Sequence, residues 1–235
     1  MSWFKRTASP LTPTVDLEAR RAEREALVSA IARRMALDRS LDLPALSDRV
    51  ADALRAIPRE LFTPPGVAAR AYRDEVLPLA AGQTLSQPSL VTLMTELLRL
   101  QPGDRVLEIG VGSGYQTALL AHLGVTVFGL EVIADLAQAA ERRLAALGLK
   151  GVTVRVGDGH AGWPEAAPFD AILAACAAPT VPPALVAQLR PGGCLLLPVG
   201  PAQGPQQLCL VEKGLDSAVR ERPLLAVAFV PMVDR

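Results

Sequence analysis

Apolar positions recur along the chain with a helical period at first and in short strand-like runs later. From Asp16 to about Leu37, Leu27, Ile31 and Met35 return every four residues among six arginines (counting Arg39) and five acids, which predicts an amphipathic helix with a solvated charged face. A second helix is predicted from Pro44 to Ile57, with Leu46, Val50, Leu54 and Ile57 on one side; Pro58, Pro64 and Pro65 then enforce irregular backbone. A third, PSLVTLMTELLRL, ends at the turn signal Gln101-Pro102-Gly103-Asp104. Beyond it, strands are predicted at Arg105–Ile109, Val125–Leu130, Val152–Val156, Ala171–Ala174, Cys194–Pro198, Leu208–Val211 and Leu225–Phe229. Helices are expected between them at Tyr115–Leu123, Ile133–Leu147 and Pro183–Leu189. Such alternation predicts an α/β fold, a doubly wound and mostly parallel sheet with helices on both faces. Residues 1–15 read as a tail, so residues 1–43 form a tail and helical extension and residues 44–235 one domain.

Composition narrows the chemistry. Lys plus Arg and Asp plus Glu both number 24, so the basic excess that a polyanion-binding surface needs is missing and no nucleic-acid partner is expected. Half of the residues are apolar, enough for a sizeable core in 235 residues. Two histidines, His122 and His160, nearly exclude a His-rich metal site. Cys176, Cys194 and Cys209 are odd in number and lack CxxC spacing, which fits a reducing compartment and predicts a cytoplasmic protein. Residues 171–189 and 191–211 carry no charge and are long enough to span a bilayer, but the prolines within them favour buried strands and loops, so no membrane partner is expected. A monomer is expected.

The sharpest local pattern is Val106-Leu107-Glu108-Ile109-Gly110-Val111-Gly112-Ser113-Gly114-Tyr115, an apolar strand running into glycines that open a helix. That is the layout of a nucleotide-type site at a strand's carboxyl end. The glycines run GxGxG, with Tyr115 where a dinucleotide fingerprint needs Gly or Ala, and Glu108 stands two residues ahead. A carboxylate there suits a cofactor with a cationic amino-acid end better than a pyrophosphate. Glu131, 21 residues after Gly110, is placed to accept two ribose hydroxyls, and Asp158 in Gly157-Asp158-Gly159 to accept an adenine amino group. Three such turns at successive strand ends resemble the class I methyltransferase fold, Rossmann-like, whose cofactor is S-adenosyl-L-methionine.

A second segment, Gly82-Gln83-Thr84-Leu85-Ser86-Gln87-Pro88, is polar amid apolar neighbours. With Ile57-Pro58-Arg59-Glu60-Leu61-Phe62, the glycine loop, VRVGDGHAGWPEAAPFDAIL, AAPTVPPALVAQLRPGG and Phe229-Val230-Pro231, it resembles the protein-L-isoaspartate O-methyltransferase family over roughly residues 45–235. The resemblance implies methyl transfer from S-adenosyl-L-methionine to the α-carboxyl of L-isoaspartyl residues in damaged proteins, which are then the partners. It implies Ser86 as the catalytic residue orienting the substrate carboxylate. Thr84 and Leu85 would line the cofactor's methyl end, and Glu108, Gly110, Gly112, Ser113, Glu131, Asp158 and Gly159 would bind the rest. No metal is implied.

Tyr115 is expected as a wall of the cofactor site, Trp163 as scaffold, His160 as an exposed turn residue and Cys176 as a buried structural thiol. The chain departs from the family on the substrate side. Pro78-Leu79-Ala80 stands where Pro-Ile-Gly is usual, and alanine tolerates positive φ poorly, so that loop is expected to take another path. Ala174-Ala175-Cys176 replaces the usual Val-Thr-Ala. Two other readings stay open at this stage. One is a methyltransferase of the same build acting on a different carboxylate; the other is a cofactor-binding module without turnover.

Overall fold

The computed structural model describes residues 18–37 and 45–233. The predicted tail, residues 38–44 and the boundary placed at 43/44 lie outside them. The first helix, α1 (Arg21–Leu37), buries Leu27, Val28 and Ile31, and Val28 joins the same apolar cluster as Val50 and Leu54 of α2 (Asp48–Ala56). Its charged face is not wholly solvated, contrary to expectation. Arg24 is buried, and Arg20 donates to the carbonyls of Ala68 and Ala69. Helix α2 starts at Asp48, later than the pattern suggested, because Ser47 caps it: the hydroxyl accepts the Val50 N–H and donates to Glu96 at 2.7 Å.

A hairpin that the sequence pattern does not announce follows, β1 (Leu77–Pro78) against β2 (Thr84–Leu85). It leads into α3 (Pro88–Leu97), with Pro88 in the first turn where no N–H is needed. The main sheet is built from β3 (Arg105–Ile109), β4 (Thr126–Glu131), β5 (Val152–Val156), β6 (Phe169–Ala174), β7 (Leu189–Val199), β8 (Gln206–Lys213) and β9 (Val219–Val227). Between these run α4 (Tyr115–His122), α5 (Ala134–Ala146) and α6 (Pro183–Ala187).

The strand order is β5-β4-β3-β6-β7-β8-β9, parallel from β5 to β7 and antiparallel at β8 and β9. The expected doubly wound, mostly parallel sheet is therefore present. Alternate residues feed two cores. Val106, Val127 and Leu173 pack under α2 to α5, while Leu107, Leu130 and Ile172 pack toward α6 and Phe169.

Strand β9 begins earlier than predicted because it is an edge: Val219–Pro223 is exposed, so no apolar alternation marks it. The two charge-free stretches form β6 with α6 and β7 with β8. No helix among the described residues is long and apolar enough to cross a membrane.

From β3 the chain moves outward to β4 and β5, then returns to add β6 on the other side. Ligand crevices open at such a reversal, beyond the carboxyl ends of the strands. Gly129 of β4 sits directly under it, where a Cβ would lie 2.6 Å from Val111 Cγ2. Gly129→Ala is expected to lower stability by about 1–3 kcal/mol through overpacking. A drop in the urea midpoint at unchanged slope would show it, and an unchanged midpoint would count against this packing.

Candidate functional site

A cleft of about 240 Å³ opens at that reversal. Its floor is the turn after β3, where Gly110, Gly112 and Gly114 have φ of +82°, +56° and +89°. Left-handed backbone of this kind costs a residue with a Cβ roughly 1 kcal/mol or more at each position. The turn is stitched to the neighbouring strand. The N–H groups of Gly110 and Val111 reach Leu130 O at 2.8 and 3.3 Å, and the Gly112 N–H reaches Glu131 Oε2 at 2.8 Å.

Glu131, at the end of β4, is thereby held from two sides, because its Oε1 also accepts the Ile133 N–H at 3.0 Å. A carboxylate has about four acceptor sites, so lone pairs remain for ligand hydroxyls. Glu108, on the last turnward residues of β3, is in the opposite condition. It is fully buried, neither oxygen has a hydrogen-bond partner, and burial raises its pKa to about 8, with the nearby charge of Glu131 adding to the rise. The Thr117 side chain is its polar neighbour. A buried carboxyl without a hydrogen bond in the cleft wall, beside the spare acceptor sites of Glu131, fits a cofactor with a cationic amino-acid end and a ribose.

Ser113 is buried and its hydroxyl accepts the Tyr115 N–H at 3.2 Å. Gly159 approaches closely from the loop after β5: a Cβ there would lie 2.4 Å from Ile109 Cγ2. On the other side stand exposed Thr84, buried Leu85 and half-buried Ser86. The hairpin carrying them is closed by Leu79 N–H to Gln83 O at 2.8 Å and Gln83 N–H to Ala80 O at 3.1 Å. Its left-handed residues are Ala81 at φ +56° and Gly82 at +69°, so the strain expected at Ala80 falls one residue later.

Nine of the ten residues singled out in the sequence thus line one cleft. Asp158 is the other: it is absent from the lining, and its Oδ1 accepts the His160 N–H at 2.8 Å and lies 3.1 Å from His160 Nδ1. Tyr115 is not a wall either. It is 1% exposed and stands edge-on to Phe62 at 5.5 Å, within the core. Cys176 is buried, as expected, and burial pushes its thiol to about 12, away from reactivity.

The lining also includes Met94 of α3, Gln116 of α4 and residues 230–233. Met94 and Gln116 carry no local signal, since each occupies an ordinary helical position. The last segment is brought in by Met232 N–H to Ala177 O at 2.7 Å, a contact 55 residues apart in the chain. No cluster of His, Cys, Asp or Glu among the described residues could hold a metal ion.

Known proteins share this architecture. The family model described as protein-L-isoaspartate(D-aspartate) O-methyltransferase (PCMT) matches residues 40–235. The chain is 55% identical over 184 residues to a protein-L-isoaspartate O-methyltransferase of Methylorubrum extorquens, covering 78% of this chain and 80% of that one. It is 46% identical over 211 residues to protein-L-isoaspartate O-methyltransferase 1 of Nitrosospira multiformis, covering 90% and 89%. A solved protein-L-isoaspartate O-methyltransferase matches with a TM-score of 0.77 at 30% identity, covering 88% of this chain and 65% of that longer one. A Plasmodium falciparum structure, a beta-aspartate methyltransferase (PCMT) in complex with S-adenosyl-L-homocysteine, shares the fold at TM-score 0.75 and 22% identity, covering 90% and 99%.

The raised Glu108 carboxyl has a consequence for stability. Its folded pKa lies above the unfolded value of about 4.5, so its contribution is full below that pH and is lost as pH rises toward about 8. Glu108→Gln removes this titration. The melting temperature of the ligand-free variant, relative to the parent, is expected to rise steadily from pH 5 to pH 8.5. Parallel profiles would show that Glu108 does not titrate there.

Proposed function

The chain belongs to the protein-L-isoaspartate(D-aspartate) O-methyltransferase family, and from that premise we propose that the cleft between the glycine turn and the Thr84–Ser86 segment is its active site. The enzyme transfers a methyl group from S-adenosyl-L-methionine to the α-carboxyl of L-isoaspartyl residues in damaged proteins and peptides. The observation that carries the assignment of the site is the meeting, in one cleft, of Ser86 with the glycine turn and its two buried carboxyl groups.

When bound, S-adenosyl-L-methionine supplies an electrophilic methyl group on a sulfonium. Glu108 would hold its cationic amino-acid end and Glu131 its ribose hydroxyls. Gly110, Gly112, Ser113 and Gly159 would cradle it, and Thr84 and Leu85 would flank the methyl. Asp158 can serve as an adenine contact only by sharing or leaving its bond to the His160 N–H.

The substrate carboxylate, with a pKa of about 4, arrives ionised, so the chain needs no general base. That agrees with a cleft lined without histidine. The task left to the protein is alignment. The Ser86 hydroxyl donates to one substrate carboxylate oxygen and aims the other in line with the methyl. Leu85, Met94 and Val111 supply apolar wall around the reacting atoms. The ester formed cyclises to a succinimide, which reopens in part to normal aspartate. Free thiols at Cys176, Cys194 and Cys209 support a reducing, cytoplasmic setting.

Two measurements test this. With labelled S-adenosyl-L-methionine and matched peptides, base-labile methyl esters are expected on L-isoaspartate; label confined to L-aspartate would contradict the repair reading, and label on none would leave only a binding module. Ser86→Ala is expected to bind S-adenosyl-L-homocysteine normally while kcat falls about 30- to 1000-fold, roughly 2–4 kcal/mol for one lost hydrogen-bond donor. Full turnover in that variant would remove Ser86 from the mechanism.

A further inference from the structure

Arg59 is the bulkiest of the fully buried side chains among the described residues. It begins the short helical turn Arg59–Phe62, outside the cleft. Its Nε donates to Ala71 O at 2.9 Å, its Nη2 donates to Ser86 O at 2.8 Å, and its guanidinium carbon lies 4.8 Å from the centre of the Tyr115 ring. No carboxylate forms an ion pair with it among the described residues, and burial lowers its pKa. A buried cation with no carboxylate in direct contact, Asp74 acting on it only from farther away, is expensive, and an apolar side chain of similar volume would fill the same space more favourably. What the guanidinium adds is direction.

The three groups it touches belong to three parts of the molecule. Ala71 follows the Pro65–Arg70 turn, Ser86 follows β2, and Tyr115 opens α4 directly after Gly114 of the glycine turn. One rigid planar group therefore connects the substrate-side strand to the helix that grows out of the cofactor-side turn. We propose that Arg59 is a positioning residue for methyl transfer: by fixing the Ser86 carbonyl against the Tyr115 ring, it sets the Ser86 hydroxyl relative to the glycine turn.

This rests on the reading of Ser86 as the group that orients the substrate carboxylate. The other side of the Ser86 peptide is already restricted, since Gln87 caps α3 and Pro88 has a fixed φ. The Arg59 bond removes the remaining freedom of the peptide plane. The surrounding backbone is braced in turn. Tyr72 hydrogen-bonds Glu60, Arg24 of α1 lies 3.7 Å from Glu60, and Asp74 accepts the Ser89 N–H at 2.8 Å while pairing with Arg34 at 3.1 Å. A lysine at position 59 would keep the charge but could not fork to two carbonyls or lie flat on a ring.

The test is a cycle of Arg59→Lys, Ser86→Ala and the double variant, with Arg59→Met beside them to keep volume without directed bonds. Each is measured for kcat and KM on an L-isoaspartyl peptide, S-adenosyl-L-homocysteine affinity by calorimetry, and urea unfolding. Arg59→Lys and Arg59→Met are each expected to lower kcat by about 10- to 100-fold, the scale of a misplaced reacting group. KM and cofactor affinity should stay within about threefold, since residue 59 is fully buried and does not line the cleft.

On the Ser86→Ala background the same change should cost less than about threefold, because no hydroxyl remains to position. An unchanged kcat in both Arg59 variants overturns the proposal. So does a full multiplicative loss on the Ser86→Ala background, even with Ser86→Ala itself impaired. Loss of cofactor binding or of cooperative unfolding in both Arg59 variants also overturns it, since Arg59 would then hold the fold. Full turnover in Ser86→Ala alone defeats the Ser86 role and, with it, this proposal.

Discussion

Between Ile109 and Tyr115 the backbone turns through three left-handed glycines while its N–H groups remain bonded to the end of the adjacent strand. Side chains would oppose both the turn and the close approach. The bond from Gly112 N–H to Glu131 is the joint on which the cleft depends, because it fixes the carboxylate and the loop together. Glu108 is reached by the same segment but receives no such bond. Two glutamates on neighbouring strands therefore differ in condition, Glu131 held by two backbone N–H groups and Glu108 buried without a hydrogen bond.

The substrate side is organised by arginine. Arg59 ties Ser86 to Tyr115 and Ala71 from within, and Arg20 in the turn before α1, with Arg24 and Arg34 of α1, engages residues 60–74 from outside. The planar fork suits this work, since it can satisfy carbonyls of separate segments at once. The helix that precedes the family match at residue 40 thus bears directly on residues 60–74, which pack against the segment carrying Ser86 through Arg59 and Asp74.

Much of the cofactor half was legible before any coordinates. Strand β3, its glycines, Glu108 and Glu131 follow from neighbours a few residues away and from the spacing of one βαβ unit. Less of the substrate half could be read. The two-residue strands β1 and β2 are too short for periodicity, and the exposed edge strand β9 has no apolar face to betray it. Arg59 looks in sequence like any arginine beside a proline.

The chain by itself determined the alternation that makes a doubly wound sheet, the turn that only glycine tolerates, and the residue types gathered at strand ends. All of these are properties of local sterics and hydrophobic period. Tertiary structure alone decided which polar atoms met. It sent the Arg59 fork to a carbonyl 27 residues away, turned Asp158 back onto His160, drew Tyr115 into the core and left Glu108 without a partner. Hydrogen bonds and burial depend on distance in space, which only the completed packing sets.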